Sequence, residues 1–105
     1  MPELIMEQET KTRDKTQYPI DIDIILYNDD TTPFPFVQMI LRKIFELSPA
    51  QSDIVTMQVH MKPTPDTTGT LIRTVTLSKA SEMQKKYEAV VAEFGLDLIV
   101  TFKPH

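Results

Sequence analysis

Asn28, Asp29 and Asp30 stand in a row and are followed by Thr31-Thr32-Pro33. Three acceptor-rich side chains in succession could receive hydrogen bonds from a bound group or, with an imidazole, ligate a metal. Asn and Asp are also the commonest turn formers, so a turn leading into a helix cap accounts for them equally well. The second candidate is His60, which a helical reading places alone among apolar and amide neighbours. A solitary helix histidine is usually a surface residue or a satisfied core one. A metal hydrolase built from Asp29, Asp30 and His60 would lack a second histidine, a fourth ligand and a general base, so neither a catalytic residue nor a metal site is expected.

The elements that must hold these residues can be read from periodicity. Ile20, Ile22, Ile24 and Leu26 alternate with Asp21, Asp23, Ile25 and Tyr27, a period of two that predicts a strand with one core face. The strand should stop at Asn28-Asp29-Asp30. Thr32 and Pro33 then predict a helix start, with Thr at the N-cap and Pro at the first helical position. Val37, Ile40, Leu41, Ile44 and Phe45 give that helix one apolar stripe, with its end expected near Leu47. Ser48-Pro49 repeats the cap signal and opens a second helix, with Ala50, Ile54, Met57 and Met61 assigned to its core side and Thr56, Val59 and His60 to another face. Lys62 to Gly69 (KPTPDTTG) reads as a loop and Thr70 to Thr76 as a strand. A third helix follows with Ser78 as its cap, Ala80, Met83, Tyr87, Val91 and Phe94 as its buried stripe and Gly95 just past its end. Leu96, Leu98, Val100 and Phe102 alternate as the last strand. The order β-α-α-β-α-β predicts a two-layer α/β sandwich, with three helices over one face of a small three-stranded antiparallel sheet.

Composition narrows the function further. The chain of 105 residues is long enough for one domain, read as residues 19–105 behind a polar, flexible extension of residues 1–18. With 41% hydrophobic and 25% charged residues it has the balance of a globular protein, and no apolar run reaches the roughly 20 residues of a membrane span. The absence of cysteine removes disulfides, thiolate nucleophiles and Cys-based zinc sites. A net charge of -4 argues against a nucleic-acid binder, and two distant glycines cannot form a phosphate loop. A cytoplasmic monomer without cofactor is the default expectation, because residues 1–15 hold no apolar run of the kind a secretory signal needs.

The chain resembles the ClpS family, the small adaptors of the bacterial Clp ATP-dependent protease. The residues that carry the likeness are Asn28-Asp29-Asp30 with Thr32-Pro33, then Phe36-Val37, Val59-His60 and Leu98, within a match from about Tyr18 to Phe102. The resemblance implies recognition of proteins by their first residue, the N-degron, and delivery to a AAA+ unfoldase of ClpA or ClpC type. By position it assigns the α-amino group to Asn28, Asp29 and His60. It assigns the apolar pocket for the first side chain to Asp30, Thr32, Phe34, Val37, Thr56, Val59 and Leu98. The chemistry is consistent: an α-ammonium has three donors and no acceptor, and a carboxylate, an amide oxygen and a neutral imidazole nitrogen supply three acceptors.

The chain also departs from the family pattern. Phe34 and Thr56 each stand where Met is common, Pro35 where Glu is common, and the loop Lys62 to Gly69 is longer than expected. In the third helix, Ser78-Lys79-Ala80-Ser81-Glu82-Met83 keeps only Ala80 of the charged pattern associated with unfoldase docking. A divergent interaction domain of this fold without N-degron binding is therefore the alternative, and titration with peptides that begin with Leu or Phe separates the two.

Overall fold

The computed structural model describes residues 20–105. The expected extension, residues 1–18, lies outside them.

The alternating run forms β1 (Asp21–Tyr27), with Ile22, Ile24 and Leu26 buried on one face. Ile20, expected to share that face, precedes the strand and is exposed. The chain continues through α1 (Phe34–Lys43), α2 (Pro49–His60), β2 (Thr70–Thr76), α3 (Leu77–Phe94) and β3 (Ile99–Pro104). β1 lies in the middle of an antiparallel sheet ordered β2-β1-β3. Its register sets Ile22 opposite Val75 in β2 and Ile24 opposite Phe102 in β3, so the inward residues of all three strands meet one layer of helices. The described residues thus form the two-layer α/β sandwich expected, with three helices and three strands.

The helices differ from expectation in ways that have local causes. α1 begins one residue later than the cap pattern predicts: Pro33 occupies the N-cap with no side-chain hydrogen bond. Thr32 instead belongs to the preceding turn, where its amide and hydroxyl both donate to Asp29. The apolar stripe Val37, Ile40, Leu41, Ile44 and Phe45 is buried as expected, although the helix ends at Lys43 and turns through Glu46 at φ 60°. α2 is capped by Ser48, whose hydroxyl accepts from the Gln51 amide at 3.1 Å.

The core face expected for α2 is the wrong one. Ile54, Met57 and Met61 are 58%, 49% and 76% exposed, and Ala50 is exposed too. The buried face is instead Ser52, Thr56 and Val59. Both hydroxyls donate within the helix, Ser52 to the Pro49 carbonyl and Thr56 to the Ser52 carbonyl, so burial leaves no polar group unpaired and the small side chains fit against the neighbouring layer. α3 takes Thr76, not Ser78, as its N-cap, since the Thr76 hydroxyl accepts from Lys79. It buries Ala80, Met83 and Tyr87 and ends at Gly95, whose φ of 63° suits glycine. Phe94 is half exposed and packs edge-on against Phe36.

Candidate functional site

β1 delivers its polar triplet at the end of a strand that the core holds rigidly. The Asn28 backbone amide donates to Asp66 Oδ2 at 3.0 Å, and its Nδ2 donates to the Lys62 carbonyl at 2.7 Å. The side chain's carbonyl oxygen, the atom an ammonium would seek, takes no part in either bond. Asp29 organises the turn: its Oδ1 accepts from Thr31 N at 2.7 Å, Thr31 Oγ1 at 3.1 Å and Thr32 N at 2.6 Å, while Oδ2 accepts only Thr32 Oγ1 at 2.8 Å. A carboxylate offers about four lone-pair directions, two on each oxygen, so Oδ2 keeps one for a further donor. Burial opposes ionisation of Asp29, but the hydrogen bonds from Thr32 and Thr31 outweigh it and hold the carboxyl below the usual carboxylate range. A fixed negative charge therefore stands at the strand end.

Around that charge the fold assembles a pocket. Asn28, Asp29, Thr32, Phe34, Val37, Thr56, Val59, His60 and Leu98 line one cavity, so nine of the ten residues assigned from the resemblance come together. α1 contributes Phe34 and Val37, and α2 contributes Thr56, Val59 and His60. Leu98 sits just ahead of β3, where the buried Tyr87 hydroxyl donates to its carbonyl. Burial, with the nearby Asp29 charge second, pushes the Tyr87 phenol upward, so it stays a neutral donor and pins that wall. Thr56 is buried with its hydroxyl already donated, which leaves no unmet polar demand in the wall. The cavity measures about 20 Å³, room for one water. Its narrowness goes with Phe34, whose half-buried ring meets the His60 ring edge-on at 5.7 Å between centroids. A side chain of Leu or Phe size does not fit a cavity of that volume unless its lining moves.

Asp30 is the residue the fold does not bring to this pocket. It is exposed, accepts from the Thr64 hydroxyl at 3.0 Å, and belongs to a second, larger cavity of about 590 Å³. Asp30 follows the turn closed by Asp29 and is engaged with Thr64 of the loop Lys62 to Gly69 instead. For the same reason Asp29, Asp30 and His60 do not converge, and among the described residues no three His, Asp or Glu side chains come together as a metal site. Sequence reasoning also missed Asp66. Its Oδ1 accepts from the Gly69 amide at 2.9 Å and the Thr68 amide at 3.2 Å, while Oδ2 holds Asn28, so this one carboxylate ties the loop Lys62 to Gly69 to the strand end. The signal was present in Asp66-Thr67-Thr68-Gly69, an Asx-turn sequence ending in glycine.

The comparisons with known proteins agree with this geometry. The family model for the "ATP-dependent Clp protease adaptor protein ClpS" matches residues 17–99. The ClpS adapter of Ruegeria sp. (strain TM1040) is 43% identical over 53 residues, which cover 50% of this chain and 47% of that protein. ClpS 2 of Mesorhizobium japonicum is 36% identical over 62 residues, covering 59% of this chain and 61% of that one. The chain thus spans about half the length of the curated relatives it matches. Among solved structures, Agrobacterium tumefaciens ClpS2 bound to L-phenylalaninamide superposes with a TM-score of 0.69 at 25% identity, covering 84% of this chain and 100% of that one. With a family match over most of its length and a shared fold, this chain belongs to the ClpS family of Clp protease adaptors.

Proposed function

We propose that the chain binds the free α-amino group and bulky apolar first residue of N-degron proteins and hands them, as a monomer, to a Clp AAA+ unfoldase of ClpA or ClpC type. The observation that carries this reading is the convergence of Asp29 and His60 at one apolar cavity walled by Val37, Val59 and Leu98. An ammonium held there meets the free side of Asp29 Oδ2, the Asn28 amide oxygen and an unprotonated imidazole nitrogen of His60. Each hydrogen bond to a charged group contributes about 1.5 to 3 kcal/mol, and burying a Leu or Phe side chain about 1.5 to 3 kcal/mol more. After ordering costs, that sum is compatible with micromolar affinity, about −8 kcal/mol. The bound ligand of the Agrobacterium relative, L-phenylalaninamide, combines the two features this site would read: a free α-amine and a benzyl side chain.

Delivery rests on family membership. At the start of α3, Lys79 is engaged with Glu46 at 2.9 Å and Glu82 at 3.3 Å, so this surface offers a partner Ser78 and Ser81 beside a locally neutralised charge. The function is tested by fluorescence anisotropy with a peptide beginning in Phe and its N-acetylated twin. The free peptide should saturate the protein at micromolar concentration and the acetylated one should not. Equal binding of the two would overturn the α-amine site.

A further inference from the structure

Asn28 carries two donors and an acceptor on one side chain, so it can serve an ammonium only if its amide is held the right way round. Turned by half a circle, it would offer the ligand its NH2 group instead. Asn28 Nδ2 donates to the Lys62 carbonyl at 2.7 Å, and since a carbonyl only accepts, the opposite orientation would set two oxygens against each other. The backbone amide of the same residue donates to Asp66 Oδ2 at 3.0 Å. Both partners belong to the loop Lys62 to Gly69, and both are fastened at its far end. Asp66 Oδ1 accepts from the Gly69 amide at 2.9 Å, while Lys62 Nζ donates to the Gly69 carbonyl at 2.8 Å. A closed ring of hydrogen bonds therefore runs from Asn28 through Asp66, Gly69 and Lys62 back to Asn28. Gly69 sits flush on β1: at its φ of 73° a Cβ would overlap the Ile25 side chain and come within 3.1 Å of the Tyr27 ring. Burial opposes ionisation of Asp66, but the hydrogen bonds from Gly69, Asn28 and Thr68 outweigh it and keep the carboxyl below its usual range, a charged acceptor at neutral pH.

Resting on the first-residue reading, we infer that Asp66 is a positioning residue, which acts through this ring to hold the Asn28 amide oxygen toward the bound amine and so makes the site selective for a primary α-ammonium. With Asn28 fixed, the site offers three acceptors to three N–H donors. A secondary ammonium, as in an N-methylated first residue or a first-residue proline, has two, and leaves one buried acceptor unmet. A free Asn28 amide would turn to suit either ligand, and the distinction would fade.

The test measures anisotropy with one peptide beginning in Phe and a second beginning in N-methyl-Phe. In the unaltered chain the methyl should weaken binding about tenfold or more. Asp66→Ala should shrink that penalty to about threefold or less, because the methyl group's own bulk remains while the third acceptor is no longer held. Asp66→Asn is the gentler variant: its carbonyl keeps the Gly69 and Thr68 amides, and its NH2 group faces the Asn28 amide, so the loop stays closed while the ring opens. It should shrink the penalty in the same way. Thr64→Ala removes the loop's bond to Asp30, outside the ring, and should leave the penalty at full size. A penalty that stays at full size in the Asp66 variants, even if the Phe peptide binds them more weakly, marks a merely structural role and overturns the inference. So does a penalty lost in Thr64→Ala, or equal binding of the two peptides by the unaltered chain. Failure of the first-residue reading looks different: the Phe peptide would then bind no better than its N-acetylated twin.

Discussion

Replacing Asp29 with Asn isolates the charge from the turn it organises. The carboxylate uses Oδ1 for three donors and Oδ2 for one. An Asn carbonyl at the Oδ1 position keeps the three, including both backbone amides, while the amide group replacing Oδ2 cannot accept from an ammonium. The turn should survive with Thr32 Oγ1 reoriented, and the binding contribution of one charge-assisted bond, about 1.5 to 3 kcal/mol, should vanish. In Kd that is roughly a tenfold to hundredfold weakening, read by anisotropy with a peptide beginning in Phe. Acid melts provide a second readout. The folded-state pKa of Asp29 lies below its unfolded value near 3.9, so its contribution to stability is present above that value and is lost as pH falls through the lower folded one. Melting temperatures of the unaltered chain should therefore fall more steeply below about pH 4 than those of Asp29→Asn. If Asp29→Asn folds and binds within twofold of the unaltered chain, the carboxylate does not hold the amine.

Two further substitutions probe the walls of the pocket. Tyr87→Phe leaves the buried Leu98 carbonyl without its donor, which should cost about 1 to 3 kcal/mol, lower the melting temperature by roughly 4–8 °C per kcal/mol, and weaken peptide binding through the loosened Leu98 wall; an unchanged melt would show that this bond does not brace the pocket. If the Phe34 ring gates the pocket, Phe34→Ala removes its edge-to-face contact with His60, worth about 0.5 to 1.5 kcal/mol, and association measured by stopped flow should speed up about twofold to tenfold, most for a first-residue Trp. An unchanged on-rate would mean that Phe34 is no gate.

Much of this architecture was legible because period-two and period-3.6 patterns coincide with burial along β1 and α1. Ile22, Ile24 and Leu26 alternate cleanly because the sheet is covered by helices on one face alone. α2 misled for a definite reason. Its apolar residues are spread around the helix, and the face that faces the core carries Ser52 and Thr56, whose hydroxyls donate to their own helix's carbonyls and so cease to count as polar. No hydropathy pattern reveals that. The cap at Thr32 was misread because its hydroxyl donates to Asp29, across the turn, and no helix amide donates to it.

The pocket residues were found by likeness to a family, since Asn28 and His60 are 32 positions apart in sequence and only the packing of α1 and α2 on β1 brings them together. Asp30 was misplaced because its carboxylate meets Thr64, a partner 34 residues away that side-chain type does not encode. The second cavity could not be foreseen at all. It exists because Asp66 draws the loop Lys62 to Gly69 against Asn28, a contact spanning 38 residues.

The account is tested most directly by a crystal structure of the protein with a peptide beginning in Phe. It predicts the peptide nitrogen within hydrogen-bonding distance of Asp29 Oδ2 and the His60 ring, the benzyl group between Val37, Thr56 and Leu98, and the Phe34 ring turned away from His60. A peptide nitrogen left in solvent, with the Phe34 ring still in its seat, would contradict it.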